Sequence, residues 1–156
     1  REPVPAGLAR ADLVLSVGAA ADQDRFAAIW RKDIRVPLVT GELLPLQTGM
    51  DWQGMRALAF AGIGYPEKFF ATLRALGADI VRAEALDDHQ PFGTALLTRL
   101  AAEAAALEAQ LVTTEKDAVR LPAEFRPQVV VLPVRLAIPD WGPVDAAIDR
   151  AMSGRR

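Results

Sequence analysis

Short apolar runs alternate with amphipathic stretches along almost the whole chain, and that rhythm narrows the folds open to it more than any other feature. Leu13 to Val17 reads as a strand ending at Gly18, and Gln23 to Arg31 follows with Phe26, Ile29 and Trp30 at helical spacing. From Ile34 to Gly49, the punctuation by Pro37, Gly41, Pro45 and Gly49 predicts an irregular strand and a connection. Ala57 to Ala61 is a buried-strand candidate, broken by Gly62-Ile63-Gly64. Pro66 suits a first helical turn, where no amide donor is needed. Phe69, Phe70, Leu73 and Leu76 then supply one apolar face, and Gly77 fits the C-terminal cap. The rhythm repeats: a strand over Asp79 to Ala83, a polar loop over Asp87 to Pro91, and a helix over Thr94 to Glu108. Leu111 to Thr113 is a strand that runs into Thr114-Glu115-Lys116-Asp117, with a short helix towards Leu121. Val129 to Val134 reads as the last strand, and Val144 to Met152 as a final amphipathic helix entered through Trp141-Gly142-Pro143.

Strand alternating with helix predicts parallel strands joined by right-handed crossovers, with helices covering both faces. The expected fold is therefore a three-layer α/β/α sandwich with a mostly parallel sheet. At 156 residues the chain has the size of one ordinary domain, and 51% hydrophobic residues are enough for a core. Ligands of such folds bind beyond the carboxyl ends of the strands. Three loops leave those ends: Gly62 to Pro66, Asp87 to Pro91 and Thr114 to Asp117.

What the composition excludes narrows the function. A formal charge of -2 is a poor basis for binding nucleic acid, so no nucleic-acid partner is expected. Zero cysteines and one histidine remove disulfide frameworks, thiolate metal sites and multi-histidine metal sites, and no metal ligands are assigned. No apolar run reaches the ~18–20 residues needed to span a bilayer, and no signal-peptide pattern opens the chain. A soluble domain of a reducing compartment is expected.

Each strand-end loop carries residues with two readings. Gly62-Ile63-Gly64 precedes a helix N-terminus that favours an anion, or it is a tight turn that needs glycine for close approach. No G-x-x-x-x-G-K-[ST] motif occurs, so the chain has no phosphate-binding P-loop of its own. His89 is the side chain whose unperturbed pKa lies near neutrality, and Asp87 and Asp88 beside it could orient the ring. Its alternative is a solvated loop histidine. Thr114, Glu115, Lys116 and Asp117 could contact substrate or phosphate, chiefly through Lys116. Equally, Thr114 could cap a helix with Asp117 three residues on.

Three segments, in order, carry a resemblance: Leu58 to Phe70 (LAFAGIGYPEKFF), the Asp88-His89 loop, and Leu111 to Leu121 (LVTTEKDAVRL). Together they resemble the C-terminal half of the tetraacyldisaccharide 4'-kinase family, the lipid A 4'-kinases of Gram-negative bacteria, over essentially the full chain. Arg1-Glu2-Pro3 is similar to a triplet near that family's interdomain hinge. The resemblance implies that residues 1–156 form a lid-like, acceptor-side domain of a two-domain P-loop kinase, with 1–11 next to the hinge. It implies transfer of the ATP γ-phosphate to the 4'-hydroxyl of tetraacyldisaccharide 1-phosphate, with ATP and Mg2+ held mainly by an N-terminal domain that this chain lacks. The chain alone is then expected to be inactive. The implied partners are that P-loop domain, the lipid A disaccharide precursor and a membrane surface, on the cytoplasmic face of the inner membrane.

Residue by residue, the resemblance implies that His89, preceded by Asp88, assists deprotonation of the sugar hydroxyl, and that Arg1 and Glu2 contact nucleotide or lipid phosphate. The family pattern Phe-x-Asp-His-His-x-Tyr is altered here to Leu86, Gln90 and Phe92 at the variable points, so the second histidine and the tyrosine hydroxyl are missing. Two other readings compete. One is a stand-alone nucleotide- or sugar-phosphate-binding α/β module with Gly62 to Pro66 on the phosphate. The other is an interaction domain without a site, whose three loops would point to different faces.

Overall fold

The computed structural model describes residues 3–88 and 90–154. They divide into two compact units, one made of the described residues within 1–44 and 135–156, the other of those within 45–134. The larger unit contains β3 (Arg56–Ala61), α3 (Pro66–Ala75), β4 (Asp79–Ala85), α4 (Thr94–Ala106), β5 (Gln110–Thr114), α5 (Glu115–Ala118) and β6 (Val129–Leu132). Its four strands run in the order β4-β3-β5-β6, every pairing parallel. The expected layered α/β arrangement is realised here.

The two faces of that sheet are written into β3. All of Ala57 to Ala61 is buried, as a central parallel strand requires. Ala57, Ala59 and Ala61 pack with Phe69, Phe70 and Leu73 of α3, and Leu58 and Phe60 pack with Leu97, Leu100 and Ala104 of α4. Small strand residues meet large helix residues on the α3 face, whereas on the α4 face large residues from both elements pack together with Ala104. From β3 the chain crosses over α3 to β4 and then returns over α4 to β5 on the other side. Right-handed crossovers in opposite directions put those helices on opposite faces.

Helix ends follow local chemistry. After α3, Gly77 has φ +93°, its N–H donates to Arg74 O at 2.9 Å, and Ala78 N–H donates to Leu73 O at 3.1 Å. This is the Schellman closure that glycine favours. Helix α4 stops at Ala106, short of the expected Glu108, because Glu108 itself takes the left-handed conformation at φ 49°.

β4 is an edge strand, and its exposed side is charged. Arg82 and Arg99 donate to Glu84 at 3.0 and 2.7 Å, and both pair with Glu103 on α4. Burial raises the pKa of Glu84, but the hydrogen bonds and charges of Arg99 and Arg82 outweigh it and hold the carboxyl below its ordinary 4.5. A depressed folded-state value stabilises above the ordinary one, and that contribution vanishes as pH falls through the folded value. Glu84→Gln should therefore lower the urea midpoint at about pH 7 and have almost no effect at about pH 2. Because the two arginines are about half exposed, the loss at neutral pH should stay below ~1 kcal/mol.

The smaller unit contains α1 (Val4–Leu8), β1 (Val14–Val17), α2 (Ala20–Trp30), β2 (Leu38–Pro45), β7 (Val134–Ala137) and α6 (Gly142–Ser153). Its sheet runs β1-β2-β7, with β1 parallel to β2 from Val14↔Leu38 to Val17↔Gly41. Gln23 of α2 donates to Gly18 O at 2.6 Å and Gly41 O at 2.9 Å, tying the two strand ends together. Gly41 is needed for a close approach: a Cβ there would lie 3.0 Å from Leu136 Cδ1 and 3.2 Å from Ala137 O.

Two expectations are corrected, and one, the strand expected after Ile34, is met more regularly than its punctuation suggested. Val129 to Val134 is not one strand: it breaks at Pro133, which has no amide to donate to a ladder, and β6 and β7 belong to different sheets. The irregular stretch after Ile34 contains a continuous eight-residue strand, β2. Ile29 does not join the inner face of α2. It is 58% exposed, and Phe26 and Trp30 instead line a groove of about 210 Å³ with Val4, Leu8 and Ile34.

Candidate functional site

In the larger unit the order β4-β3-β5 puts the carboxyl ends of three strands side by side, and the three loops that leave them meet. The loops do not point to different faces, as the interaction-domain reading expected. Between β3 and β5 the strand order reverses direction, the place where an open parallel sheet leaves a crevice. Here a side chain of the protein fills it.

That side chain is Asp117, which has no exposed surface. Thr114 caps α5: its Oγ1 accepts from the Asp117 N–H at 3.1 Å and donates to Asp117 Oδ2 at 2.9 Å. The capping geometry points the carboxylate back across the sheet, where Oδ2 also accepts from the Gly62 N–H at 3.0 Å. Oδ1 accepts from Arg120 Nη1 at 3.1 Å. One buried carboxylate thus joins the loops after β3 and β5. Beneath it, Thr113 Oγ1 donates to Phe60 O at 2.8 Å, a second link between the same strands.

The loop after β4 is fastened at both ends. Leu86 N–H donates to Ala61 O at 2.9 Å, and Gln90 closes a turn by donating its N–H to Asp87 O at 2.9 Å. The Gln90 side-chain oxygen accepts from the Asp87 N–H at 3.1 Å, and its main-chain carbonyl accepts from Arg120 Nη2 at 2.7 Å. Phe92 packs edge-on to Phe60 with ring centroids 6.0 Å apart. Its face lies under the Arg120 guanidinium at 5.1 Å.

Asp88 lies at the rim. Its Oδ1 is 3.6 Å from Lys116 Nζ, and both side chains are about half exposed. A Cβ on Gly64 would lie 3.9 Å from Asp88 Oδ2, so the turn after β3 passes beside this pair. Gly64, Asp88 and Lys116, far apart in sequence, share one exposed rim. Tyr65, next to them, is 69% exposed.

The expected site residues therefore divide into groups. Asp88, Lys116 and Gly64 border the open rim. Gly62, Thr114 and Asp117 lie below it with their polar groups bonded to one another, the tight-turn and N-cap arrangement. The Glu115 carboxylate is turned aside to accept from the Val134 N–H at 3.0 Å. His89, Arg1 and Glu2 lie outside the described residues. Arg120 was not singled out from sequence, and Gln90 and Phe92 stood out there only as departures from the family pattern. The one local signal was a basic residue three positions after Asp117. Among the described residues no cluster of three or more acidic or imidazole ligands could hold a metal. Asp117 is buried and bonded to three protein donors, and Asp88 faces an ammonium, so this rim does not fit Mg2+. No helix among them is long and apolar enough to cross a membrane.

Comparison with known proteins gives this arrangement a family. Tetraacyldisaccharide 4'-kinases of Jannaschia sp. and Dinoroseobacter shibae are 57% and 58% identical to 97% and 96% of the chain. That of Rhodospirillum centenum is 49% identical to 99% of it. The chain spans only 46%, 44% and 45% of those relatives, less than half their length. A crystal structure of LpxK from Aquifex aeolicus in complex with ATP shares the fold, with a TM-score of 0.56 over 96% of this chain and 45% of that one, at 17% identity. A family model for tetraacyldisaccharide-1-P 4'-kinase (LpxK) matches residues 1–153, so the chain belongs to that family.

Proposed function

We propose that this chain is the acceptor-side part of a lipid A 4'-kinase, and that its strand-end rim presents the sugar hydroxyl to ATP held by a P-loop domain outside these 156 residues. The observation that carries the reading is the convergence of Gly64, Asp88 and Lys116 on one exposed rim, within a chain of this family. His89, one residue beyond Asp88, takes the proton of the 4'-hydroxyl. The oxygen then attacks the γ-phosphorus, the new O–P bond forms as the bond to the β–γ bridging oxygen breaks, and ADP leaves. Asp88 orients the imidazole and favours its charged form after transfer. Lys116 supplies positive charge at the rim for a phosphate group. Arg1 and Glu2 contact nucleotide or lipid phosphate. ATP and Mg2+ are bound mainly by the other domain, and the whole enzyme works at the cytoplasmic face of the inner membrane.

A stand-alone phosphate-binding module is less well supported. The Gly62 amide, the donor that such a module would offer, is already bonded to a buried carboxylate at 3.0 Å, and a second anion there would face Asp117. The test joins this chain to the part of the Jannaschia relative that it does not match, and follows transfer of labelled γ-phosphate to tetraacyldisaccharide 1-phosphate. The joined protein should turn over and the chain alone should not, with no ATP heat in calorimetry on the chain alone. A joined, folded protein that binds ATP but leaves the acceptor unlabelled would overturn the assignment, and ATP binding by the chain alone would revive the module.

A further inference from the structure

Arg120 has no assigned part in this chemistry, yet its guanidinium touches three different parts of the site. Nη1 donates to Asp117 Oδ1 at 3.1 Å, Nη2 donates to Gln90 O at 2.7 Å, and Cζ lies over the Phe92 ring, 5.1 Å from its centroid. Asp117 has no exposed surface and is fixed by the Gly62 N–H and Thr114 Oγ1, so one end of the fork is anchored in the sheet. The other end grips the carbonyl of the residue directly after His89. Leu86 N–H pins the start of the same loop to Ala61 O, so the loop is tied on both sides of the Asp88-His89 pair.

We propose that Arg120 is the positioning residue of the loop that carries His89: it clamps the Gln90 carbonyl to buried Asp117 and so ties the main chain directly after His89 to the ends of β3 and β5. This rests on the reading under Proposed function. Arg120 is assigned a positioning role and not a catalytic one, because the two bonds it makes run to Asp117 and to the Gln90 carbonyl, neither of which is a reacting group. The chemistry asks for arginine specifically. A planar fork serves two acceptors at once and lies flat on an aromatic ring, whereas an ammonium serves Asp117 or Gln90 O but not both in this geometry. Phenylalanine at position 92 completes the clamp, since its unbroken face lies under the guanidinium.

The test uses the joined protein in a double-mutant cycle of Arg120→Lys and His89→Ala. Lysine keeps a cation for Asp117, and thermal melting checks that the variant is folded at the assay temperature. Arg120→Lys should lower kcat by about 10–100-fold, the scale of an ~1 Å misplacement, with KM for ATP within about twofold. Combined with His89→Ala it should cost nothing further, because a clamp acting through the imidazole is irrelevant once the imidazole is gone. Should Arg120→Lys unfold, Phe92→Leu takes its place in the cycle, with an expected loss of about threefold. Wild-type kcat in a folded Arg120→Lys, or a loss that multiplies fully with that of His89→Ala, overturns the clamp. If His89→Ala itself keeps wild-type kcat, the reading beneath fails, and the clamp fails with it.

Discussion

Replacing Asp117 with alanine should lower the unfolding free energy by about 3–5 kcal/mol, the scale expected when one partner of a buried charged network is removed. The carboxylate has no exposed surface and serves the Gly62 N–H, the Thr114 hydroxyl and the Arg120 guanidinium. Alanine would leave a buried amide without an acceptor and a partly buried cation without its anion, and each carries its own desolvation cost. It would also disconnect the ends of β3 and β5 at the crevice between them. Asp117→Asn keeps an acceptor but loses the charge that holds Arg120, so it should fall between wild type and alanine. Urea unfolding followed by circular dichroism gives the values. Lys116→Ala serves as the control, because the Lys116–Asp88 pair is half exposed and should contribute less than ~1 kcal/mol. Equal, small effects of Asp117→Ala and Lys116→Ala would mean that the buried hub does not hold the loops.

Asp117 also marks the limit of what could be read from the chain. The capping relation between Thr114 and Asp117 is local, three residues apart, and was visible in the sequence. The bond from Gly62 spans 55 residues and leaves no periodic trace, so the residue that joins the loops looked like one more polar side chain in a charged run. Arg120 was hidden for the same reason, since its reach to Gln90 spans 30 residues. By contrast, β3, α3 and the helix stop at Gly77 were legible because each rests on nearest-neighbour chemistry: an unbroken apolar run, proline in the first turn and glycine at positive φ.

The division of strands between two sheets was not legible. Val129 to Val134 is uniformly apolar apart from Pro133, and hydrophobicity gives no sign of which sheet a strand will join. Only the missing amide of Pro133 hinted at the break between β6 and β7. The exposure of Ile29 is a similar case. Helical spacing grouped it with Phe26 and Trp30, but no described neighbour buries that side of α2, and none of its residues is fully buried. Placing three loops at strand ends was sound because it followed from topology, which parallel strands impose whatever the side chains do.

The central claim is that the rim at the ends of β3, β4 and β5 carries the base that activates the acceptor. The most direct measurement is steady-state turnover of the joined protein with His89→Ala, at saturating tetraacyldisaccharide 1-phosphate and varied ATP. Removing a general base typically costs 10²–10⁴-fold, so kcat should fall by about that factor while KM for ATP stays within about twofold. Such a split would place the imidazole in the chemical step and not in nucleotide binding. A folded His89→Ala protein that turns over at the wild-type rate would contradict the account.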